Sequence, residues 1–274
     1  DGMSRHILWA KRIQSIRVIT LLVVWVVIFL AGMKHYRMYA AKEALQGTFA
    51  MLAFLQEDDF LRKTMYFAVL CFFSNAPFME KPDLYRVCRM GRRRWGVFNC
   101  GYMALSSVFL AVVLTVLSFL VNLKNVSWKN AWPDLFLKAS VDRSDYLSSV
   151  ITNPLLEEFT PYEMMARILI IDICNFLLIA ALAYTISLLI NRLVAYVAVL
   201  IMIFATIFMV NMGIYGWTYW MPLSWGNFTE WQIGYDLSAP DMRYMICFYL
   251  FAFIVLFWLS QWRLQHMDWN EEES

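Results

Sequence analysis

Six long apolar stretches alternate with polar segments along the chain, and this alternation predicts a bundle of membrane-spanning helices. A helix needs about 20 mostly apolar residues to cross a bilayer, and each stretch with its flanks approaches that length. No 20- to 50-residue repeat and no low-complexity linker divides the chain, so we expect a single transmembrane domain over residues 1–274. The predicted spans are 18–33, 60–78, 97–123, 166–190, 193–212 and 243–262.

The segment before the first predicted span has a different pattern. Residues 4–17 interleave apolar and basic positions at helical spacing, with Lys11 and Arg12 among the basic positions and Trp9 as an aromatic anchor. This is typical of an amphipathic helix in the membrane interface, and we prefer it to a simple basic flank. The apolar patch 48–55 is too short to span, so we predict a surface-lying or partly inserted helix.

The densest block of charge lies at residues 80–96, between the second and third predicted spans, and holds six of the 23 Lys and Arg residues. One Arg at the centre of a bilayer costs about 3 kcal/mol or more, so this block predicts a loop that faces water. Short loops rich in Lys and Arg stay on the cytoplasmic side. Six spans with this loop inside also place both termini in the cytoplasm.

The composition agrees with a multi-pass membrane protein. Hydrophobic residues make up 61% of the chain, charged residues 16%, and the mean hydropathy is +0.54. Soluble proteins average about a quarter charged residues. A net charge of +2 gives no reason to expect a nucleic-acid partner, and the five cysteines lie in or beside apolar runs, which favours buried free thiols over disulfides.

Motifs for catalysis or metal binding are missing from the sequence. It has no G-x-x-x-x-G-K-[ST] phosphate loop and no H-E-x-x-H pair, and its three histidines lie far apart. The neighbours Glu157 and Glu158 near a predicted span are more readily explained as solvated loop charges than as a catalytic pair. We therefore expect no enzyme activity, no metal and no cofactor bound by this chain itself.

Polar residues within the fourth predicted span leave two alternatives open. Asp172 and Asn175 are three residues apart and so lie on neighbouring faces of a helix, about a turn and a half beyond Arg167. An ionisable residue in a span usually faces the bundle interior or a wet cavity, which would make this a pathway or dimer-interface site. The alternative is that Asp172 lies near the outer interface, solvated or paired.

The order of these parts resembles the permease subunits of the ABC export class, which have the type V exporter fold. The matching parts are a basic amphipathic helix before the first span, a cytosolic loop after the second, a tight hairpin between the fourth and fifth, and an aromatic re-entrant-like segment before the sixth. The most specific local match is the stretch Asn-Ala-Pro-Phe-Met-Glu-Lys-Pro-Asp-Leu-Tyr-Arg at 75–86, followed by Arg-Arg-Arg-Trp at 92–95.

The resemblance implies a role for each half of the basic loop. Its first half would be a coupling helix over 82–88 that inserts into a separate ATP-binding subunit, and its second half would meet anionic lipid headgroups. The coupling residues would be Pro82, Asp83, Leu84, Tyr85, Arg86, Val87 and Arg89. The lipid anchors would be Arg92, Arg93 and Arg94, together with Lys11 and Arg12.

The resemblance also implies an activity: that of an ATP-driven exporter in a bacterial plasma membrane, formed by two identical or paired permease subunits. ATP and Mg²⁺ would be bound by the partner ATPase. The alternative is a non-transporting membrane adaptor or an intramembrane enzyme. Candidates for lining the pathway are Tyr66, Phe73, Asn75, Tyr196, Met202, Phe208 and Asn211 from the second and fifth spans, with Asp172 and Asn175 from the fourth.

Overall fold

The computed structural model describes residues 16–43, 47–48, 59–78, 89–121, 126–132, 159–212, 219–226 and 240–267. These residues are mainly helical, which confirms the expected class. The helices are α1 Ile16–Glu43, α2 Asp59–Phe72, α3 Arg92–Val121, α4 Pro161–Leu189, α5 Arg192–Asn211 and α6 Met242–His266. Between them lie strands β1 Gly47–Thr48 and β2 Val126–Ser127 and the 3₁₀ turn Pro222–Ser224.

Three of the described helices, α3, α4 and α6, are long and apolar enough to cross a membrane, with mean hydropathies of 2.4, 2.2 and 2.0. The shorter apolar stretches Val18–Ala31 and Arg192–Ala205 lie in α1 and α5. Helix α2 has 14 residues. At 1.5 Å per residue it extends about 21 Å, which is less than the ~30 Å of a hydrocarbon core. Three described helices are thus long and apolar enough to span a membrane, whereas α2 is too short to do so by itself.

The first and second predicted spans differ from the helices at their ends. Helix α1 extends to Glu43, beyond the apolar stretch, because backbone hydrogen bonds can continue a helix into polar residues. Helix α2 ends at Phe72, whereas the predicted span ran to 78. Residues 73–77 form turns, since Ser74 and Asn75 compete for backbone hydrogen bonds and Pro77 has no N–H.

Two sequence predictions lie largely outside the described residues. The amphipathic helix was predicted over 4–17, of which the structure describes only 16–17, the start of α1. The surface helix was predicted over 48–55, of which only Thr48 is described. Thr48 lies in β1, which pairs in parallel with β2, with Gly47 opposite Val126 and Thr48 opposite Ser127. No pattern in the sequence predicted this short pair of strands.

The three consecutive arginines expected in the basic loop form the first turn of α3, which begins at Arg92. Gly91 precedes them with φ of 83° and separates α3 from the helical residues Arg89 and Met90. The backbone oxygen of Gly91 accepts the N–H of Trp95 at 3.1 Å. A positive φ is accessible to glycine at little cost, so this residue lets the chain turn directly into α3.

Helix α4 lies at the centre of the described helices. It packs against α3, α5, α6 and α2, and 61% of its most apolar window is buried, against 39% for α3 and 11% for α6. A helix that is apolar all round is normally surrounded by other elements, which explains this position. Near its middle, Phe176 packs against Trp25 of α1 and Tyr66 of α2, with ring centroids 6.1 and 5.9 Å apart.

Helices α4 and α5 form the tight hairpin that the sequence predicts. Only Ile190 and Asn191 separate Leu189 from Arg192. Asn191 Oδ1 accepts a hydrogen bond from the backbone N–H of Val194 at 2.8 Å, in the manner of a helix N-cap. The end of α4 and the start of α5 therefore lie at the same end of the bundle.

The glycine before α3 provides a test of the fold. We expect Gly91→Ala to lower the free energy of unfolding by about 1 kcal/mol, because a side chain at positive φ meets the backbone. Gly101→Ala is the matched control, since Gly101 lies in α3 with open space around its Cα. Alanine is the better helix former, so the control should be neutral or stabilising by up to about 1 kcal/mol. Unfolding midpoints in detergent micelles would measure both variants. Equal effects would show that a side chain at position 91 causes no backbone strain.

Candidate functional site

A buried ion pair joins the first turn of α2 to α4. Arg62 Nη2 lies 2.6 Å from Asp172 Oδ1, and the two side chains are only 1% and 4% exposed. Burying a single unpaired charge costs several kcal/mol, so each residue requires the other. Asp172 is therefore neither solvated nor paired with Arg167, which instead bonds Glu163 in its own helix.

Tyr66 lies at the centre of the hydrogen bonds around this pair. Its hydroxyl accepts Arg62 Nε at 2.9 Å and Asn175 Nδ2 at 2.9 Å, and it donates to Asp172 Oδ1 at 3.5 Å. Arg62 and Tyr66 are four residues apart on α2, and Asp172 and Asn175 are three apart on α4. These spacings put each pair on one face of its helix, so the two faces meet.

Helix α6 joins the same network through Tyr249. The Tyr249 hydroxyl lies 2.6 Å from Asn175 Oδ1 and 3.1 Å from the backbone oxygen of Pro222. One hydroxyl has one proton, so it donates to one of these acceptors at a time. Tyr249 thus connects α4, α6 and the 3₁₀ turn.

A second buried cation, Lys63 of α2, bonds to the 3₁₀ turn. Its Nζ donates to the backbone oxygen of Leu223 at 2.8 Å and lies 5.8 Å from the centre of the Tyr66 ring. Lys63 is fully buried. Two consecutive residues of α2 therefore bind two different elements: Arg62 binds α4, and Lys63 binds the turn.

Residues 222–226, which we name the inner turn, are all buried. The Trp225 ring makes edge contacts with Tyr244, Phe248 and Tyr249 of α6, at centroid distances of 5.9, 5.1 and 5.3 Å. A Cβ on Gly226 would lie 2.5 Å from both Arg62 Nε and the Tyr66 hydroxyl. Only glycine fits there without displacing the network, so the inner turn is packed directly onto the ion pair.

Within the described residues, the network is a set of charges and hydrogen bonds that satisfy one another. Its carboxylate accepts from a guanidinium and a hydroxyl, and its amide both donates and accepts. Within the described residues there is no group of three or more His, Cys, Asp or Glu that could hold a metal ion. The arrangement can therefore fix the relative positions of α2, α4, α6 and the inner turn.

Three of the predicted pathway residues, Tyr66, Asp172 and Asn175, come together in this network. The other candidates from the second and fifth spans do not. Phe73 is buried in the core, and Asn75 lies partly exposed in the turn after α2. Tyr196 is partly exposed on α5, where its hydroxyl lies 2.9 Å from Cys71 Sγ. Met202 is half-buried and Phe208 exposed, while the side chain of Asn211 lies outside the described residues.

The predicted cytoplasmic sites are only partly described. The coupling candidates Pro82, Asp83, Leu84, Tyr85, Arg86 and Val87 lie outside the described residues, as do the lipid-anchor candidates Lys11 and Arg12. Arg89, Arg93 and Arg94 are exposed. Arg92 Nη1 donates to the backbone oxygen of Gln265 at 2.8 Å, so it also ties α3 to the end of α6.

Sequence reasoning missed Arg62, Lys63 and Tyr249. Arg62 and Lys63 lie at the start of the predicted second span, 60–78, where charged residues usually face water, so neither was predicted as a site residue. One signal was present: Arg62, Tyr66 and Val69 follow at intervals of four and three, which is the spacing of one helix face. This helix face therefore extends from the charged Arg62 into the apolar residues of α2. Arg62 and Tyr66 on this face contact Asp172 and Asn175 of α4.

The ion pair gives a prediction about stability. Asp172→Asn keeps the shape of the side chain but leaves the Arg62 charge buried and unpaired, so we expect a loss of about 3–5 kcal/mol in the free energy of unfolding. Arg62→Met with Asp172→Leu removes both charges and should cost less. Glu163→Gln is the matched control, because it breaks an exposed pair of the same helix worth at most about 1 kcal/mol. Unfolding in micelles would measure all three variants. If Asp172→Asn lowered the free energy of unfolding no more than the control does, Arg62 and Asp172 would not form a stabilising buried pair.

Comparisons of this chain with known protein families, with curated proteins and with solved structures found no significant match. The functional interpretation therefore depends on the order of parts along the chain and on the geometry of the network.

Proposed function

We propose that this chain is the membrane-spanning subunit of an ATP-driven exporter, with six spans and both termini in the cytoplasm. The observation that carries the proposal is the inner turn, a buried turn that contains Trp225 and precedes the last helix by 15 residues. It is held by Lys63 from α2 and by Tyr249 from α6. A re-entrant-like segment at this place is one of the parts that the chain shares with the type V exporter class.

The positions of the helix ends support the proposed topology. The hairpin puts the end of α4 beside the start of α5. Arg263 Nε donates to the backbone oxygen of Leu188 at 3.1 Å, and Arg92 reaches Gln265, so α6 ends and α3 begins at the same end of the bundle. This end is rich in arginine, and by the positive-inside rule it faces the cytoplasm.

Coupling to the ATPase takes place at residues 82–88, between α2 and α3. Leu84, Tyr85 and Val87 insert into the ATP-binding subunit, and Arg86 and Arg89 add charged contacts. ATP and Mg²⁺ are bound by that partner, and this chain supplies no catalytic group. A second permease subunit, identical or paired, completes the pathway in the plasma membrane.

In this proposal, the network transmits a movement of the coupling loop to the opposite side of the membrane. Helix α2 leads towards the coupling loop, and its first turn carries Arg62 and Lys63. A displacement of α2 therefore acts on α4 and on the inner turn together, because both are bonded to it. Packed interfaces of this kind shift between discrete arrangements rather than deforming continuously.

The burial of the pathway candidates separates them into two groups. Tyr66, Asp172 and Asn175 are enclosed within one subunit, so a cargo reaches them only when α2 and α4 move apart. Asn75 and Phe208 are partly or fully exposed, so a cargo can contact them without such a movement. In this proposal the exposed group lines the pathway and the buried group holds the helices.

The proposal predicts ATP hydrolysis that depends on a partner. The chain alone should hydrolyse no ATP, and an ATP-binding subunit that co-purifies with it should be stimulated when the two are reconstituted together. Leu84→Ala with Tyr85→Ala should abolish most of that stimulation by removing the apolar contact. Val116→Ala with Leu120→Ala, on the exposed face of α3 far from the loop, is the matched control and should change little.

Two results of this experiment would contradict the proposal in different ways. Full stimulation by the double variant of Leu84 and Tyr85 would show that the coupling helix lies elsewhere. Hydrolysis by the ATPase without movement of any cargo into sealed vesicles, across a panel of lipids, peptides and drugs, would favour the membrane adaptor. Hydrolysis of a substrate by the chain alone would favour the enzyme.

A further inference from the structure

The end of the bundle where α3 and α5 begin and α4 and α6 end carries a group of arginines, which we name the arginine collar. Its helix ends are held together by the hairpin and by the bonds from Arg92 to Gln265 and from Arg263 to Leu188. The collar consists of Arg89, Arg92, Arg93, Arg94, Arg192 and Arg263.

The collar has no described acidic neighbours. The described segments 89–100, 182–200 and 255–267, which form this end, contain no Asp or Glu. The ion pairs found among the described residues, Arg62 with Asp172 and Arg167 with Glu163, lie elsewhere. Among the described residues, the exposed Arg93, Arg94 and Arg192 therefore form a positively charged surface, which is suited to an anionic partner.

The position of these arginines at helix N-termini also favours an anionic partner. Arg92, Arg93 and Arg94 form the first turn of α3, and Arg192 begins α5; neither first turn contains an acid. A cation at a helix N-terminus is unfavourable because that end carries a partial positive charge. Arg92 offsets this cost through its bond to Gln265, whereas Arg93, Arg94 and Arg192 are exposed at these helix ends, where an anion is attracted by the helix ends and by the guanidinium groups together.

The apolar residues beside the collar identify the kind of anion. Val97, Ile190 and Leu193 lie within a few residues of it and are 52%, 64% and 75% exposed, and Trp258 and Trp262 are exposed near the end of α6. A soluble acidic protein would leave such a band beside it in water. A membrane covers the apolar band with acyl chains and the arginines with headgroups, and Trp is common at that boundary.

We infer that the arginine collar binds the anionic headgroups of phospholipids in the leaflet at this end of the bundle. Three exposed members, Arg93, Arg94 and Arg192, bind the lipid, while Arg92 and Arg263 hold the helix ends together and Arg89 remains a coupling candidate. This inference depends on membrane crossing by α3, α4 and α6, and it stands or falls independently of the exporter proposal. Anionic lipid should therefore stabilise this chain more than zwitterionic lipid does.

The test uses two triple variants of equal charge. Arg93→Gln, Arg94→Gln and Arg192→Gln remove exposed collar charges that make no bond to the described residues. Lys129→Gln, Arg167→Gln and Arg243→Gln remove three charges at the opposite end of the helices. The unfolding midpoint of each protein would be followed in micelles titrated with phosphatidylglycerol, with phosphatidylcholine, or with glycerol phosphate.

Phosphatidylglycerol should raise the midpoint of the unmodified chain and of the opposite-end variant, since a ligand that binds only the folded state stabilises it. The collar variant should bind phosphatidylglycerol on the order of 100-fold more weakly, because each near-surface arginine contributes about fivefold. High salt should reduce the rise in the unmodified chain.

Three outcomes would overturn the inference. The collar variant could retain the affinity of the unmodified chain, the opposite-end variant could lose as much affinity as the collar variant, or glycerol phosphate could raise the midpoint as much as the lipid at equal concentration. The last result would mean a site for small anions. Because the substituted arginines are exposed, the midpoint of the collar variant without lipid should stay close to that of the unmodified chain, which separates lost binding from lost folding.

Discussion

The ion pair between Arg62 and Asp172 is the interaction on which the arrangement of the described helices depends. Helix α2 is too short to cross a bilayer by itself, and its first turn carries two cations into the protein interior. Arg62 is compensated by Asp172 at the centre of the bundle, and Lys63 by the carbonyl of Leu223. The inner turn can occupy its place because these charges are held away from lipid by α4 and α6.

The middle of the described bundle and its arginine-rich end have different chemistry. In the middle, the network satisfies its own charges and encloses them, so it favours a defined packing of helices. At the arginine-rich end, the collar exposes Arg93, Arg94 and Arg192 and is suited to a membrane surface. In the proposed exporter this difference has a use: the collar fixes the chain relative to the leaflet, while the network carries motion from α2 to α4 and the inner turn.

The sequence predicts the long helices well because hydropathy is a local property. The hairpin at Asn191 and the spans in α3, α4 and α6 follow from the lengths of the apolar runs. The burial of Arg62 and Lys63 does not, since it depends on Asp172 and Leu223, which are 110 and 160 residues away along the chain. Ser74, Asn75 and Pro77 indicated that α2 ends early, but the apolar residues around them favoured a longer predicted span. The inner turn was recognised as aromatic, yet its partners became visible only in three dimensions.

The accessibility of the inner turn tests the central claim most directly. Ser224 is 1% exposed, and Ser224→Cys would add a thiol there with little change in shape, in a background where the five native cysteines are replaced. The thiol should resist a water-soluble maleimide while the ion pair is intact and react at least tenfold faster after Asp172→Asn. Equal and slow labelling in both proteins, with both still folded, would show that the ion pair does not hold the inner turn in place.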